Sequence, residues 1–178
     1  DSAHLGYVSS SAAIDADQAA EELARKNPGI TEPVFVRFRT GRHTEAWRGN
    51  VMAIGNAYAF VEPLESSSLL MITTMSLMLA QYLPTSWAQP RSRTAFNASI
   101  AKKWDALRWF IAAHYKFNTR LDTPFWRDAR ANVDVSGIQP LLDAFAEGAP
   151  LQLRDYYTRG AVRATVRTFY DLQSYDCI

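Results

Sequence analysis

The sequence predicts a mixed α/β fold of the α+β kind, with short antiparallel strands in the first third packed with a mostly helical C-terminal layer. Three observations support this. Apolar and polar residues alternate from Pro33 to Arg39. Beyond Ser66 apolar residues recur at steps of three and four instead. The 178 residues are 48% hydrophobic and 21% charged, which suits a packed core and not a disordered chain.

Leu5 to Ser10 reads as a short β-type run. Ala13 to Asn27 reads as a helix, with Asp15 at its N-cap and Asn27-Pro28-Gly29 as its stop. Pro33 to Arg39 alternates as a strand. Gly41 turns the chain, and Arg42 to Trp47 returns antiparallel as a hairpin. Arg48-Gly49-Asn50 turns it again, and Val51 to Ile54 is expected to be a short buried strand.

No charge occurs between Glu65 and Arg91. Ser66 to Leu83 is long enough to raise a membrane span, but serines, Thr73, Thr74 and Gln81 interrupt it and Pro84 ends it. A buried core helix is expected there. Arg93 to Phe117 forms a long amphipathic helix with Phe96, Ile100, Trp104, Leu107, Ile111 and Tyr115 on one face. Asp122-Thr123-Pro124 starts a helix running to Ala131, and Ser136 caps one from Gly137 to Ala146. Gly148-Ala149-Pro150 breaks the chain before a helix from Tyr156 to Asp171. The organisation is one continuous unit with a strand-rich part, 1–65, and a helical part, 66–178.

Composition excludes several functions. A net charge of +1 leaves no electrostatic footprint for nucleic acid or an anionic membrane. The lone cysteine, Cys177, allows no internal disulfide and no cysteine-based metal site. The glycines are too scattered for a dinucleotide fingerprint or a P-loop. His4, His43 and His114 lack metal-ligand spacing, and His114 is expected to be structural. The chain opens without an initiator Met and stops on apolar residues around Ile178, so a piece of a longer protein is expected.

One stretch could carry chemistry. Ala53 to Ser68 reads as a buried strand, an uncharged loop, two glutamates around a proline, and a helix start. Gly55 would let backbone approach a ligand closely. Ser66 to Ser68 would sit at a helix N-terminus, where free N–H groups and the dipole favour an anion. The same pattern also serves stability alone, with Ser as N-cap and Glu in the first turn. Burying Glu65 would call for a cation from elsewhere.

The run Gly55-Asn56-Ala57-x-x-Phe60-Val61-Glu62-Pro63-Leu64-Glu65-Ser66-Ser67 resembles the flavin-contacting segment of the FAD-dependent halogenases, the tryptophan-halogenase family. Gly6-Tyr7-Val8, Arg37 to Arg42, Trp47-x-Gly49-Asn50, His114-Tyr115, Arg120 and Asp122 to Trp126 resemble further parts of that family, in its order.

The resemblance implies an enzyme that uses FAD, reduced by a separate flavin reductase, with O₂ and chloride or bromide to halogenate an electron-rich aromatic. Gly55 and Asn56 would contact FAD, and Ala57, Phe60, Val61 and Pro63 would line its ring system. Ser67 and Ser68 would hold the halide through backbone N–H groups. Glu65 would be the catalytic glutamate that pairs with the family's essential lysine. Lys26, Lys102, Lys103 and Lys116 match no such lysine, and the dinucleotide fingerprint is absent, so the 178 residues alone are expected to be inactive.

Phe169 and Tyr170 would contact substrate, where the family's tryptophan enzymes carry Phe-Trp. Thr165 stands where those enzymes have a glutamate, and Tyr156-Tyr157 is offset from their tyrosine pair. Substrates other than free tryptophan are therefore expected, including an aromatic held on a carrier protein. A cytoplasmic location is expected. Two alternatives stay open: a related flavin monooxygenase that hydroxylates or epoxidises, and a binding module that keeps the scaffold without the chemistry.

Overall fold

A computed structural model of the chain describes residues 5–30, 32–86 and 89–147, the side chains of Glu65 and of 84–86 excepted. The expected helix from Tyr156 to Asp171 lies outside the described residues. The chain divides into two units between Phe38 and Arg39.

The first unit is built on helix α1, Ala16–Lys26. Asp15 caps it as expected. Its Oδ1 accepts from Gln18 N at 2.8 Å, and Gln18 Oε1 accepts from Asp15 N at 3.4 Å, a capping box. Arg25 and Lys26 fill the last turn, where cations suit the dipole. The expected β-type run Leu5 to Ser10 is not a strand. It is tied to α1 instead, by Tyr7, whose hydroxyl donates to Glu22 Oε2 at 2.9 Å.

Pro33 to Arg39 is not a strand either. Alternation gives a strand only where a second strand offers a ladder. Among the described residues none pairs with it, and Val34 and Val36 stand 88% and 71% exposed.

The second unit holds two short antiparallel ladders. Strand β1 (Gly41–Arg42) pairs with β4 (Ala59–Phe60), and β2 (Trp47–Arg48) pairs with β3 (Val51–Met52). The hairpin therefore lies at Gly49-Asn50, not between Pro33–Arg39 and Arg42–Trp47. Gly49 has φ +60°, the positive value required at the first position of a two-residue type II′ loop. Arg42 finds its partner 17 positions on, at Ala59, and His43 N extends that ladder by donating to Tyr58 O at 3.0 Å. The expected buried strand from Val51 to Ile54 is shorter and more open, with Val51 exposed.

Four helices complete the unit: α2 (Ser67–Ser86), α3 (Pro90–Lys116), α4 (Pro124–Asn132) and α5 (Gln139–Ala146). On α3 the expected stripe of Phe96, Ile100, Trp104, Leu107 and Ile111 is buried. Phe96 meets the edge of Trp47 with centroids 5.7 Å apart, and Tyr58 meets Trp104 at 6.4 Å, so the ladders lie on α3. Thr123 caps α4 and Pro124 opens it, as expected.

Ser136 does not cap α5. Asp134 Oδ1 accepts from Ser136 N at 2.9 Å, and a 3₁₀ turn, Ser136–Ile138, leads into the helix. Helix α2 also departs from expectation. It buries only the stripe through Ser67, Met71 and Met75, while Leu69 and Leu77 stand exposed. No described helix is long and apolar enough to cross a membrane.

Candidate functional site

The segment from Gly55 to Ser68 leads from the β2–β3 hairpin into α2. Gly55–Ala57 forms a 3₁₀ turn with Gly55 buried at φ +58°. A Cβ on Gly55 would collide with Ile72 Cγ1 of α2, so the turn lies directly against that helix. Asn56 and Ala57 face solvent, and Pro63 is exposed. Phe60 and Val61 are half-buried. Tyr58 and Ala59 turn inward to the core. The segment thus presents an open edge at Asn56, Ala57 and Pro63, backed by Phe60 and Val61, a surface that fits the flat ring system of a flavin.

Glu65 lies in a second 3₁₀ turn, Leu64–Ser66, that runs straight into α2. Its side chain is outside the described residues. Ser66 adopts φ +51°, the one positive φ at a non-glycine residue among the described residues. That conformation costs an L-residue on the order of 1–2 kcal/mol. Ser67 is buried, its N–H donates to Leu64 O, and its Oγ donates to Glu62 O at 3.5 Å. Ser68 Oγ is buried with no hydrogen-bond partner among the described residues. Ser67 has thus committed its N–H to the turn, and Ser68 carries the donor left over. The expected substrate residues, Phe169 and Tyr170, lie outside the described residues.

A cavity of about 260 Å³ borders this segment, lined by Thr40, Gly41, Arg42, Val61, Glu62, Trp104, Asp105 and Arg108. Arg42 spans its edge in a two-pronged pair with Asp105, Nε to Oδ1 at 2.8 Å and Nη2 to Oδ2 at 3.0 Å. Asp105 raises the Arg42 pKa. Burial raises the Tyr58 hydroxyl, with Arg42 opposing. Trp104 Nε1 is buried without a hydrogen-bond partner among the described residues. Glu62 faces the other way as well. Its Oε2 accepts from the Tyr115 hydroxyl at 2.6 Å, and burial followed by Glu62 pushes the Tyr115 pKa far above the usual tyrosine range.

Sequence reasoning found the segment and missed its anchors. Arg42–Asp105 and Glu62–Tyr115 join residues 63 and 53 positions apart, and no local spacing announces such pairs. Tyr115 was visible only as the last member of the α3 stripe. His114 behaves structurally, with Nδ1 3.0 Å from Phe110 O and its ring edge-on to Phe110. No group of three or more metal-ligating side chains occurs among the described residues.

Comparison with known proteins places these features in a family. The tryptophan halogenase family model matches residues 1–178. Tryptophan 6-halogenase ThaL of Streptomyces albogriseolus is 36% identical over 169 residues, 92% of this chain and 32% of the relative. Tryptophan 7-halogenase RebH of Lentzea aerocolonigenes is 33% identical over 97% of this chain and 34% of its own length. Among solved structures, MibH, a lanthipeptide tryptophan 5-halogenase, superposes with a TM-score of 0.86 at 58% identity, over 96% of this chain and 33% of that one. The chain spans about a third of the length of the curated relatives it matches.

Proposed function

The chain belongs to the tryptophan halogenase family, and on that premise we propose that it carries the flavin-facing segment and halide site of an FAD-dependent halogenase. The carrying observation is the join between the 3₁₀ turn that holds Glu65 and the start of α2, where Ser68 leaves a buried hydroxyl without a partner. A helix N-terminus favours an anion, and a spare O–H donor adds to that preference.

In this reading Gly55 and Asn56 contact FAD, and Ala57, Phe60, Val61 and Pro63 line its ring system. Bound FAD, reduced by a separate flavin reductase, supplies the oxygen activation that makes chloride or bromide electrophilic. Ser67 and Ser68 hold the halide, with Ser68 contributing more because the Ser67 N–H is shared with Leu64 O. Glu65 orients the halogenating species, and Phe169 and Tyr170 contact the aromatic substrate. The strand-rich part, 1–65, completes the flavin-binding fold on which the helical part, 66–178, rests. The 178 residues alone are inactive and the protein is cytoplasmic.

The substrate we propose is a tryptophan side chain within a peptide. Identity to the lanthipeptide enzyme is 58%, against 36% and 33% to the enzymes named for tryptophan. Thr165 in place of a glutamate points the same way, since a peptide-borne tryptophan has no free amine and carboxylate to hold.

The test uses the intact halogenase carrying this chain, with reduced FAD, oxygen and bromide. It should brominate a tryptophan-containing peptide in preference to free tryptophan. Glu65→Gln should abolish bromination with FAD binding unchanged. Undiminished turnover in that variant overturns the role of Glu65, and an oxygenated product without halogen favours a monooxygenase.

A further inference from the structure

We propose that Tyr115 is a positioning residue for the halide turn: its hydroxyl, acting through Glu62, holds the segment from Pro63 to Ser68 in the shape that the halide site requires. The inference rests on the proposed function for its consequence, and on geometry alone for its mechanical part.

Tyr115 sits near the end of α3 with its ring fixed by α4. It stacks on Trp126, with centroids 5.6 Å apart and planes 20° apart, and meets the edge of Phe125 at 6.2 Å. The hydroxyl donates to Glu62 Oε2 at 2.6 Å, the short distance of a bond to a carboxylate. Because burial and Glu62 both favour the protonated tyrosine, the proton stays on Tyr115. Glu62 is therefore held at its side chain by α3. At its main chain it is held by α2, since its carbonyl accepts from Ser67 Oγ at 3.5 Å.

What lies between those two ties is the strained part. Glu65 and Ser66 follow Pro63, and Ser66 is left-handed at φ +51°. A residue held in that region relaxes unless its surroundings over-determine it. The turn's own bonds are weak: Ser66 N reaches Pro63 O at only 3.4 Å. The Tyr115–Glu62 bond is the shortest fastening on the segment among the described residues, and it comes from outside the turn.

Two variants separate this from a general packing role. Tyr115→Phe keeps the stacked ring and removes the hydroxyl. Glu62→Gln keeps an amide oxygen to accept it. Hydrogen exchange is followed at the amides of Leu64 to Ser68 in the chain itself, with α4 amides as control. In Tyr115→Phe, exchange in the turn should quicken about tenfold, the size of one lost hydrogen bond, while α4 is unchanged. Glu62→Gln should stay within about twofold of the parent. If Tyr115→Phe fails to fold, Glu62→Ala removes the same bond and should give the same exchange pattern.

In the intact halogenase, Tyr115→Phe should raise the bromide KM roughly tenfold and leave FAD affinity unchanged, with Glu62→Gln restoring the parental value. Unaltered exchange in the turn overturns the clamp. Faster exchange with an unaltered bromide KM overturns its bearing on the halide site. Should the parent protein not halogenate at all, the functional reading fails, and the exchange data alone decide the clamp.

Discussion

Asn97 on α3 grips the main chain of Trp47 at both ends of its peptide unit. Its Oδ1 accepts from Trp47 N at 2.8 Å, and its Nδ2 donates to Trp47 O at 2.9 Å. The same Oδ1 also accepts from Ala46 N at 3.0 Å. A side-chain amide thus takes the place of a neighbouring strand for β2, whose other edge is paired with β3. The contact fastens the hairpin to α3 next to the buried Trp47–Phe96 pair.

Asn97→Ala should lower stability by about 2–3 kcal/mol, because it strands two N–H groups and one carbonyl in a half-buried position. Asn97→Asp should also destabilise, since it keeps the acceptor but sets an oxygen against Trp47 O. Urea unfolding gives the measurement. A loss in Asn97→Ala under about 0.5 kcal/mol would mean that water replaces the amide, and the grip would carry no weight.

Gly55 couples the flavin-facing turn to α2. Its φ of +58° disfavours any L-residue, and an added Cβ would overlap Ile72. Gly55→Ala should cost at least about 2 kcal/mol, from the backbone and the overlap together. Shortening the neighbour separates the two. In the double variant with Ile72→Ala the overlap disappears, so the pair should be less destabilising than the sum by about 0.5 kcal/mol or more. Strict additivity would place the whole cost in the backbone.

Alkaline pH should loosen the second unit. Burial raises the pKa of Tyr115 and of Tyr58 in the folded protein above the ordinary tyrosine value of about 10. A raised folded-state pKa means that the folded chain keeps its proton after the unfolded chain has lost it. The stabilisation is complete below about pH 10 and falls as pH rises above it. Tyr115→Phe should therefore flatten the decline in urea midpoint between about pH 9 and 11, with Tyr58 supplying the remainder. A decline as steep as the parent's would show that Tyr115 ionises as readily folded as unfolded.

What could be read from the sequence follows a physical divide. Helices α1, α3 and α4 are announced by groups within a few residues of each other: Asp15 with Gln18, the α3 stripe, Thr123 before Pro124. The loop from Gly55 to Ser68 was legible because its residue types are unusual together. The strands were not. Pro33 to Arg39 and Arg42 to Trp47 have the composition of a hairpin, yet Arg42 pairs with Ala59, a choice made by tertiary contacts. The anchors of the loop, Tyr115 and Asp105, came from α3 across similar distances and left no local sign.

Helix α2 is where composition misled, and it allows a sharp test. A run without charges from Ser66 to Pro90 suggests burial on every side. The helix instead buries one stripe, with Met75 at 0% exposure and Leu77, two residues on, at 61%. Met75→Ala should cost about 2–5 kcal/mol, since it opens a cavity beside the core of α3. Leu77→Ala should fall within about 0.5 kcal/mol of the parent, because that side chain already meets water in this chain. Both are read from urea midpoints at constant m-value. Equal losses at the two positions would mean that Leu77 is covered in solution. The second face of α2 would then be packed as fully as the first.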